Sequence, residues 1–257
     1  LGGVPPGARR ERGRRAPGGG GGGGVGGAAT LATVETRSVA HPDGTGLAVD
    51  VYGRAGARAA VLWVHGFGSR RDGEKVRHVG EALAGAGLAL VAPDLQGHGD
   101  SEGAFADLTI ERSVGDVLLA AGAPEFAGAK RRVLAGSSFG AVVALWATVR
   151  RPDVADRVFC AAPAFRFVER HTEAMTPAVL KAWRAGAPLP VKNEWLDVTL
   201  SNAILLEAPR YRAEDLAARL GKPAFLVHGI GDEQVPWRES VRFLEACGRD
   251  DVELLLL

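Results

Sequence analysis

The pentapeptide Gly136-Ser137-Ser138-Phe139-Gly140 stands where one hydrophobic pattern hands over to another. Before it, Val133-Leu134-Ala135 is an apolar run of strand length; after it the sequence reads as helix up to Pro152. A strand turning directly into a helix through G-x-S-x-G places Ser138 on a cramped turn, where the glycines make room for the backbone and the serine hydroxyl is held clear of the sheet. The free N–H groups that open the helix point at the same spot and suit an anion forming on a substrate carbonyl. Ser138 is the candidate nucleophile.

Context, more than the pattern, makes this case. With 36 Gly and 8 Ser in 257 residues, chance alone yields roughly 0.15 such matches. A second match exists, Gly99-Asp100-Ser101-Glu102-Gly103, but it follows the loop-like run Gln96-Gly97-His98-Gly99 and no apolar helix comes directly after it. Ser101 is read as a turn serine.

Around the elbow the patterns alternate. Thr33 to Val39 and Leu47 to Tyr52 are β-rich runs either side of His41-Pro42-Asp43-Gly44-Thr45-Gly46, a hairpin expected to form an antiparallel edge. Ala59 to Val64 is continuously apolar, as in a strand buried on both faces, and runs into His65-Gly66-Phe67-Gly68-Ser69. A helix with apolar positions Val76, Val79 and Leu83, a strand from Leu88 to Ala92, a helix from Ile110 to Ala121, the elbow, and a strand from Val158 to Ala161 follow. Strands alternating with helices predict an α/β fold with a doubly wound, mostly parallel sheet joined by right-handed crossovers. Between Pro163 and Lys222 the alternation breaks and no clear strand-helix unit can be read. That segment, about 163–222, is expected to be an inserted lid, with Trp183, Trp195 and Leu189 as candidate apolar lining of a substrate pocket. The alternation resumes with a strand from Pro223 to His228, the loop Gly229 to Pro236, a helix from Trp237 to Cys247 and a last apolar run, Val252 to Leu257.

Residues 1–30, with Gly18 to Gly24 unbroken, cannot bury enough apolar surface to offset chain entropy and are expected to be disordered. Residues 31–257 are left as one large domain. The first thirty residues carry five Arg against one Glu, so a net charge of +1 for the whole leaves the remainder at −3. Nucleic-acid binding is poorly supported, because the basic cluster has no aromatic partners and lies in the segment unlikely to fold. Cys160 and Cys247 have neither disulfide-framework nor zinc spacing, and no ligand cluster marks a metal or organic cofactor. No apolar run is long enough to span a membrane and no signal sequence opens the chain, which makes the cytoplasm the default compartment. Oligomeric state is not readable.

Several stretches resemble the α/β-hydrolase superfamily: HGFG after a strand, PDLQGHGDSEG after the next, GSSFG at the elbow and HGIGDEQVP after a late strand. Within it the chain is similar to small carboxylesterases of the feruloyl or cinnamoyl kind and to acyl-thioesterase, acyl-glucuronide-esterase and serine-aminopeptidase relatives. The leading reading is a serine hydrolase acting on a carboxylic ester or thioester, and the lack of a ligand cluster together with the apolar lid candidates makes the expected substrate a small or medium acyl ester, hydrolysed with no cofactor. The resemblance makes Ser138 the nucleophile, Asp232 the acid that orients the base, with Glu233 the nearest competitor, and the main-chain N–H groups of Phe67 and Phe139 the oxyanion hole. It treats His65, His98 and His228 as loop-shaping residues. In the family the base lies just after the last core strand, yet no histidine follows Asp232. The expectation is that the catalytic histidine lies a few residues beyond Leu257, that the present chain is a portion of an active hydrolase, and that it is nearly inert as it stands. A peptidase, which acidic lid residues gathered near the site would favour, and a non-catalytic binding protein on a hydrolase scaffold are the alternatives.

Overall fold

Strands with apolar residues at every position must be covered on both faces, and in the computed structural model they occupy the middle of the sheet. The structure describes residues 34–193 and 196–257; the Arg/Gly-rich segment 1–30, Thr33 and Trp195 lie outside the described residues. In chain order the elements are β1 (Val34–Ala40), β2 (Gly46–Tyr52), β3 (Ala59–Val64), α1 (Glu74–Gly85), β4 (Ala89–Pro93), α2 (Ile110–Ala120), α3 (Pro124–Ala127), β5 (Arg131–Ser137), α4 (Phe139–Arg150) and β6 (Arg157–Ala161). Then come α5 (Phe167–Glu173), α6 (Pro177–Arg184), β7 (Leu189–Lys192), β8 (Asp197–Leu200), α7 (Ala203–Glu207), α8 (Ala213–Arg219), β9 (Ala224–His228), α9 (Arg238–Cys247) and β10 (Val252–Leu256).

Eight strands form one sheet in the order β1-β2-β4-β3-β5-β6-β9-β10. From β4 to β10 every pair is parallel, while β2 runs antiparallel to both β1 and β4. The anticipated doubly wound, mostly parallel sheet with an antiparallel N-terminal hairpin is what the chain forms. All five residues of β4 are buried, as a central parallel strand requires. Helix α4 is buried along ten of its twelve positions, because it lies against β5, β6 and α2.

The segment after β6 differs from its expected reading in one respect. It does contain paired strands: β7 and β8 form an antiparallel hairpin of their own, in register from Leu189 against Leu200 to Lys192 against Asp197, among the short helices α5 to α8. These strands are four residues long and half exposed, so the alternation that reveals a longer strand has no room to show.

Glu207 ties this segment to the sheet-flanking helices. Its carboxylate accepts from the backbone N–H groups of Ile110 and Glu111, the opening turn of α2, where helix amides lack intrahelical acceptors. Burial pushes the Glu207 carboxyl up to about 7 from its ordinary 4.5. The folded chain therefore retains a proton here that the unfolded chain has released. The associated stabilisation is complete below about pH 4.5 and is lost as pH rises through about 7, a difference of about 3 kcal/mol at most. Denaturant melts at about pH 5 and pH 8 should show that loss, and Glu207→Gln should flatten it; an unchanged slope in the variant refutes the assignment.

Candidate active site

Ser138 joins β5 to α4 with φ 54° and ψ −122°, a combination that a residue with a side chain adopts only when its surroundings impose it. The motif glycines show how. A Cβ on Gly140 would stand 2.2 Å from the His65 carbonyl oxygen and 2.4 Å from that of Val64, so the start of α4 lies directly on the end of β3. The same turn brings the Ser138 N–H to the Ala161 carbonyl (2.9 Å) and its own carbonyl to the Ala164 N–H (3.2 Å). Backbone from β3, β5 and β6 thus fixes the turn from three sides.

Two cavities meet at Ser138. One, of about 600 Å³, is lined by Phe67, Gly68, Phe167, Arg170, His171 and Leu196 among others. The other, of about 500 Å³, is lined by Lys75, Ser137, Ala162, Asp232 and Glu233 among others. Gln234 and Val235 border both. Ser137 borders only the second. Ser101 borders neither: its buried hydroxyl donates to the Asp94 carbonyl (2.7 Å) and accepts from the Ala48 N–H (2.8 Å), which makes it a loop tie.

Asp232 sits in the loop between β9 and α9. Its Oδ1 accepts from the N–H groups of Gln234 (2.9 Å) and Val235 (2.8 Å), an arrangement that fixes the carboxylate, and Oδ2 lies 3.6 Å from His228 Nε2, outside hydrogen-bond range. Glu233 is exposed and has no such anchoring. His228 is buried beneath this loop and fully engaged, with Nδ1 2.8 Å from the Ser240 hydroxyl and Nε2 3.0 Å from the Val235 carbonyl. The carbonyl can only accept, so Nε2 donates to it.

The Phe67 N–H, directly after Gly66, has no acceptor among the described residues, and Gly66 lies against Ser138. The Phe139 N–H opens α4, where amides have no intrahelical acceptor. His65 and His98 shape the loop carrying Phe67. His65 Nε2 accepts from the Leu95 N–H (3.0 Å) while Nδ1 donates to the Gly66 carbonyl (2.8 Å), and His98 Nε2 accepts from the Gly68 N–H (3.3 Å). Burial lowers both rings to about 4, so both are neutral at pH 7 and able to accept.

Below that loop Arg71 is buried among carboxylates. It reaches Asp50 (2.9 Å), Asp100 (2.8 Å) and Asp94, whose Oδ1 also accepts the Arg71 N–H (2.7 Å). Gly99 is part of the same device: a Cβ there would stand 1.9 Å from Asp94 Oδ2.

Of the apolar lining expected from the segment after β6, neither described residue borders these cavities. Trp183 borders neither cavity; its indole is buried against the core and donates to the Ser201 carbonyl (3.0 Å). Leu189 also packs on the core. Their places are taken by Phe167, Ala174, Val191 and Leu196. Arg170 and His171 were not singled out in the sequence because no motif marks them. The one available signal was Phe167 and His171 at i, i+4, which puts both on one face of α5. No described histidine bridges Ser138 and Asp232: among cavity-lining residues the single histidine is His171, with Nδ1 committed 2.6 Å from the Phe167 carbonyl. No group of metal-binding side chains occurs among the described residues, and no described helix is long and apolar enough to cross a membrane.

An eight-stranded sheet of this order, with a strained serine at a strand-to-helix turn, defines an α/β hydrolase. The chain belongs to the Hydrolase_4 family, serine aminopeptidase S33, whose model matches residues 55–205. It is 24% identical over 210 residues to the mouse mitochondrial palmitoyl-protein thioesterase ABHD10, covering 78% of this chain and 68% of that protein. Among solved structures, mouse α/β hydrolase domain-containing protein 10 superposes with TM-score 0.73 at 21% identity, covering 86% of this chain and 88% of that one. Ferulic acid-bound Est1E from Butyrivibrio proteoclasticus gives 0.68 at 23%, with the same coverage. The Pyrococcus furiosus esterase Pf2001 gives 0.65 at 21%, covering 91% and 86%.

Proposed function

We propose that this chain carries the site of a serine hydrolase that cleaves small or medium carboxylic esters or thioesters through an acyl-enzyme on Ser138. The observation that carries this reading is that Ser138 and Asp232 face one cavity while Ser138 also faces a second. Ser138 Oγ attacks the carbonyl carbon and passes its proton to an imidazole base, which none of the described residues supplies, seated in the cavity that Asp232 borders. The N–H groups of Phe67 and Phe139 hold the oxyanion. The base returns the proton to the departing alcohol or thiol, then takes one from water, which attacks the acyl carbon and frees the acid and the serine. In this scheme Asp232 orients the base through Oδ2 while Oδ1 stays with its two amides. The segment from α5 to α8 is the lid, with residues 31–257 as one hydrolase domain.

The names of the relatives fit an ester or thioester better than a peptide: a palmitoyl-protein thioesterase, a ferulic acid-bound protein and an esterase. The family description names an aminopeptidase, and holding a substrate amine calls for a carboxylate from the lid. Among the described residues of the larger cavity none is acidic, and Arg170 and His171 stand there instead. The cytoplasmic placement expected from composition has no further support, and the mammalian relatives are named as mitochondrial.

Incubation with an activated nitrophenyl ester followed by peptide mapping should place the acyl group on Ser138, with Ser101 and Ser137 unmodified. A panel of nitrophenyl esters, acyl-thioesters and aminoacyl amides should rank the amides last. An adduct on another serine removes the nucleophile assignment, and faster amide turnover transfers the site to the peptidase reading.

A further inference from the structure

On the wall of the larger cavity at Ser138, His171 is a polar group whose bonds within the fold leave one nitrogen over. The ring stands one turn along α5 from Phe167 and is held on two sides. Nδ1 lies 2.6 Å from the Phe167 carbonyl oxygen, and the Phe167 ring is 4.6 Å away between centroids. A carbonyl only accepts, so Nδ1 carries a proton, and in the neutral ring Nε2 keeps its lone pair. Nε2 has no partner among the described residues, and it is not one of the enclosed unpartnered atoms of the structure. His171 is half-buried and borders the cavity that Ser138 borders. An acceptor held in a fixed orientation, and not sealed off, therefore stands at this wall.

The other polar side chains of the wall are differently placed. Arg170 donates to the Gln234 carbonyl and approaches Glu239 at 3.7 Å. Asn193 Oδ1 accepts from the Leu196 N–H (2.8 Å), and the exposed Gln234 amide offers a donor and an acceptor alike. The aromatic rings pack on one another: Phe67 lies 5.3 Å from Phe105 and 5.1 Å from Phe167, and Phe167 lies 5.1 Å from Phe139. The aliphatic contacts come from Ala174, Val191 and Leu196. On the hydrolase reading given above, the base must reach both the serine and the departing oxygen, so the leaving group lies towards Asp232 and the acyl chain extends into the larger cavity. A wholly apolar chain against His171 would take water from Nε2 and return nothing, whereas a hydroxyl restores the bond.

We propose that the larger cavity is an acyl subsite for a hydroxylated aliphatic chain, with His171 as its specificity-determining residue and Nε2 accepting the hydrogen bond of the chain's hydroxyl. The inference rests on the hydrolase reading for which half of the substrate enters, and on the geometry of His171 for what that half carries. The chain is aliphatic because the rings are already packed against each other, which leaves Ala174, Val191 and Leu196 to line it.

Initial rates of the full chain at pH 8, with imidazole supplied as base, compare nitrophenyl octanoate with its 3-hydroxy and 8-hydroxy forms. At least one hydroxylated ester should show kcat/KM about three- to tenfold above octanoate, the worth of one neutral hydrogen bond. His171→Phe keeps a ring against Phe67 and Phe167 and removes both nitrogens; it should bring that ratio to one, and a ratio taken within one preparation does not depend on how much of the variant folds. Titration calorimetry of Ser138→Ala with octanamide and the two hydroxyoctanamides reads the same preference without chemistry. The hydroxylated amide should bind more tightly, and adding His171→Phe should make the amides equal. Turnover of octanoate with no hydroxyl preference, or a preference that survives His171→Phe, overturns this inference and leaves the hydrolase reading standing. Failure of every ester to acylate Ser138 overturns the hydrolase reading instead, and the amide titration then decides the subsite alone. A larger His171-dependent ratio for hydroxyphenylpropanoate over phenylpropanoate than for the octanoates overturns the aliphatic assignment.

Discussion

Free imidazole should raise the turnover of an activated ester by the 257-residue chain by on the order of a hundredfold, the lower range of what a positioned general base contributes. The reason is geometric. Ser138 and Asp232 border a cavity of about 500 Å³ in which no described histidine stands, and in the proposed mechanism serine attack without a positioned base would have only the oxyanion donors and binding to assist it. Loss of one triad member costs on the order of a million-fold in turnover in serine proteases, so the unassisted chain should sit near that floor. Imidazole is small enough to enter the cavity, and its ring can donate to Asp232 Oδ2 with one nitrogen while accepting the serine proton with the other. Ser138→Ala should abolish the gain entirely. Asp232→Asn should shrink it, because the amide cannot orient and stabilise an imidazolium. The measurement is initial rate against imidazole concentration, with N-methylimidazole, which has no N–H to donate to Asp232, as the weaker reagent. A rate that ignores imidazole, or a gain surviving in Ser138→Ala, excludes the proposed relay.

The second large effect is on stability. Arg71→Ala should lower the unfolding free energy by about 3–5 kcal/mol, the usual consequence of removing one partner from a buried charge pair. The arginine side chain is 7% exposed and that of Asp94 fully buried, so losing the guanidinium leaves a buried carboxylate without its counter-ion, still held by the backbone N–H groups of Arg71 and Asp100. Asp50, at 6%, is in nearly the same position. Urea unfolding at neutral pH reads this as a shift in midpoint at constant slope. A loss below about 1 kcal/mol would mean that the network relaxes or protonates at little cost. Arg71→Lys should recover part of the loss by restoring the charge without the fork that reaches several carboxylates at once.

What the sequence could and could not disclose follows from the range of the forces involved. The sheet was legible because β3 and β4 are apolar throughout, β5 is apolar from Val133 to Ala135, and Gly and Asp punctuate the runs, all local properties of the chain. The elbow was legible because Gly136 and Gly140 answer to backbone crowding that only glycine tolerates. The order of the strands across the sheet, with β4 between β2 and β3, needed the structure. The lining of the cleft was misread for a definite reason. Trp183 belongs to an eight-residue helix, α6, too short for its period to say which face meets the core. Size and apolarity then pointed to a pocket, whereas an indole with a carbonyl in reach is more stable buried. Arg170 was illegible for the opposite reason. It reaches the Gln234 carbonyl and approaches the buried Glu239 at 3.7 Å, partners more than sixty residues away that no local pattern announces.

The meeting of two cavities at a single serine has a bearing on how this site could be re-engineered. Among the described residues, only Gln234 and Val235 border both besides Ser138, so Phe167, His171 and Leu196 on one side and Lys75 and Glu233 on the other meet only through those three. Residues without common partners contribute nearly additively. In the proposed hydrolase the two halves of a substrate, one either side of the scissile bond, would therefore be read by largely separable sets of side chains. A library can be searched on one wall at a time and the winners combined, with the three shared positions held fixed as the hinge of the design.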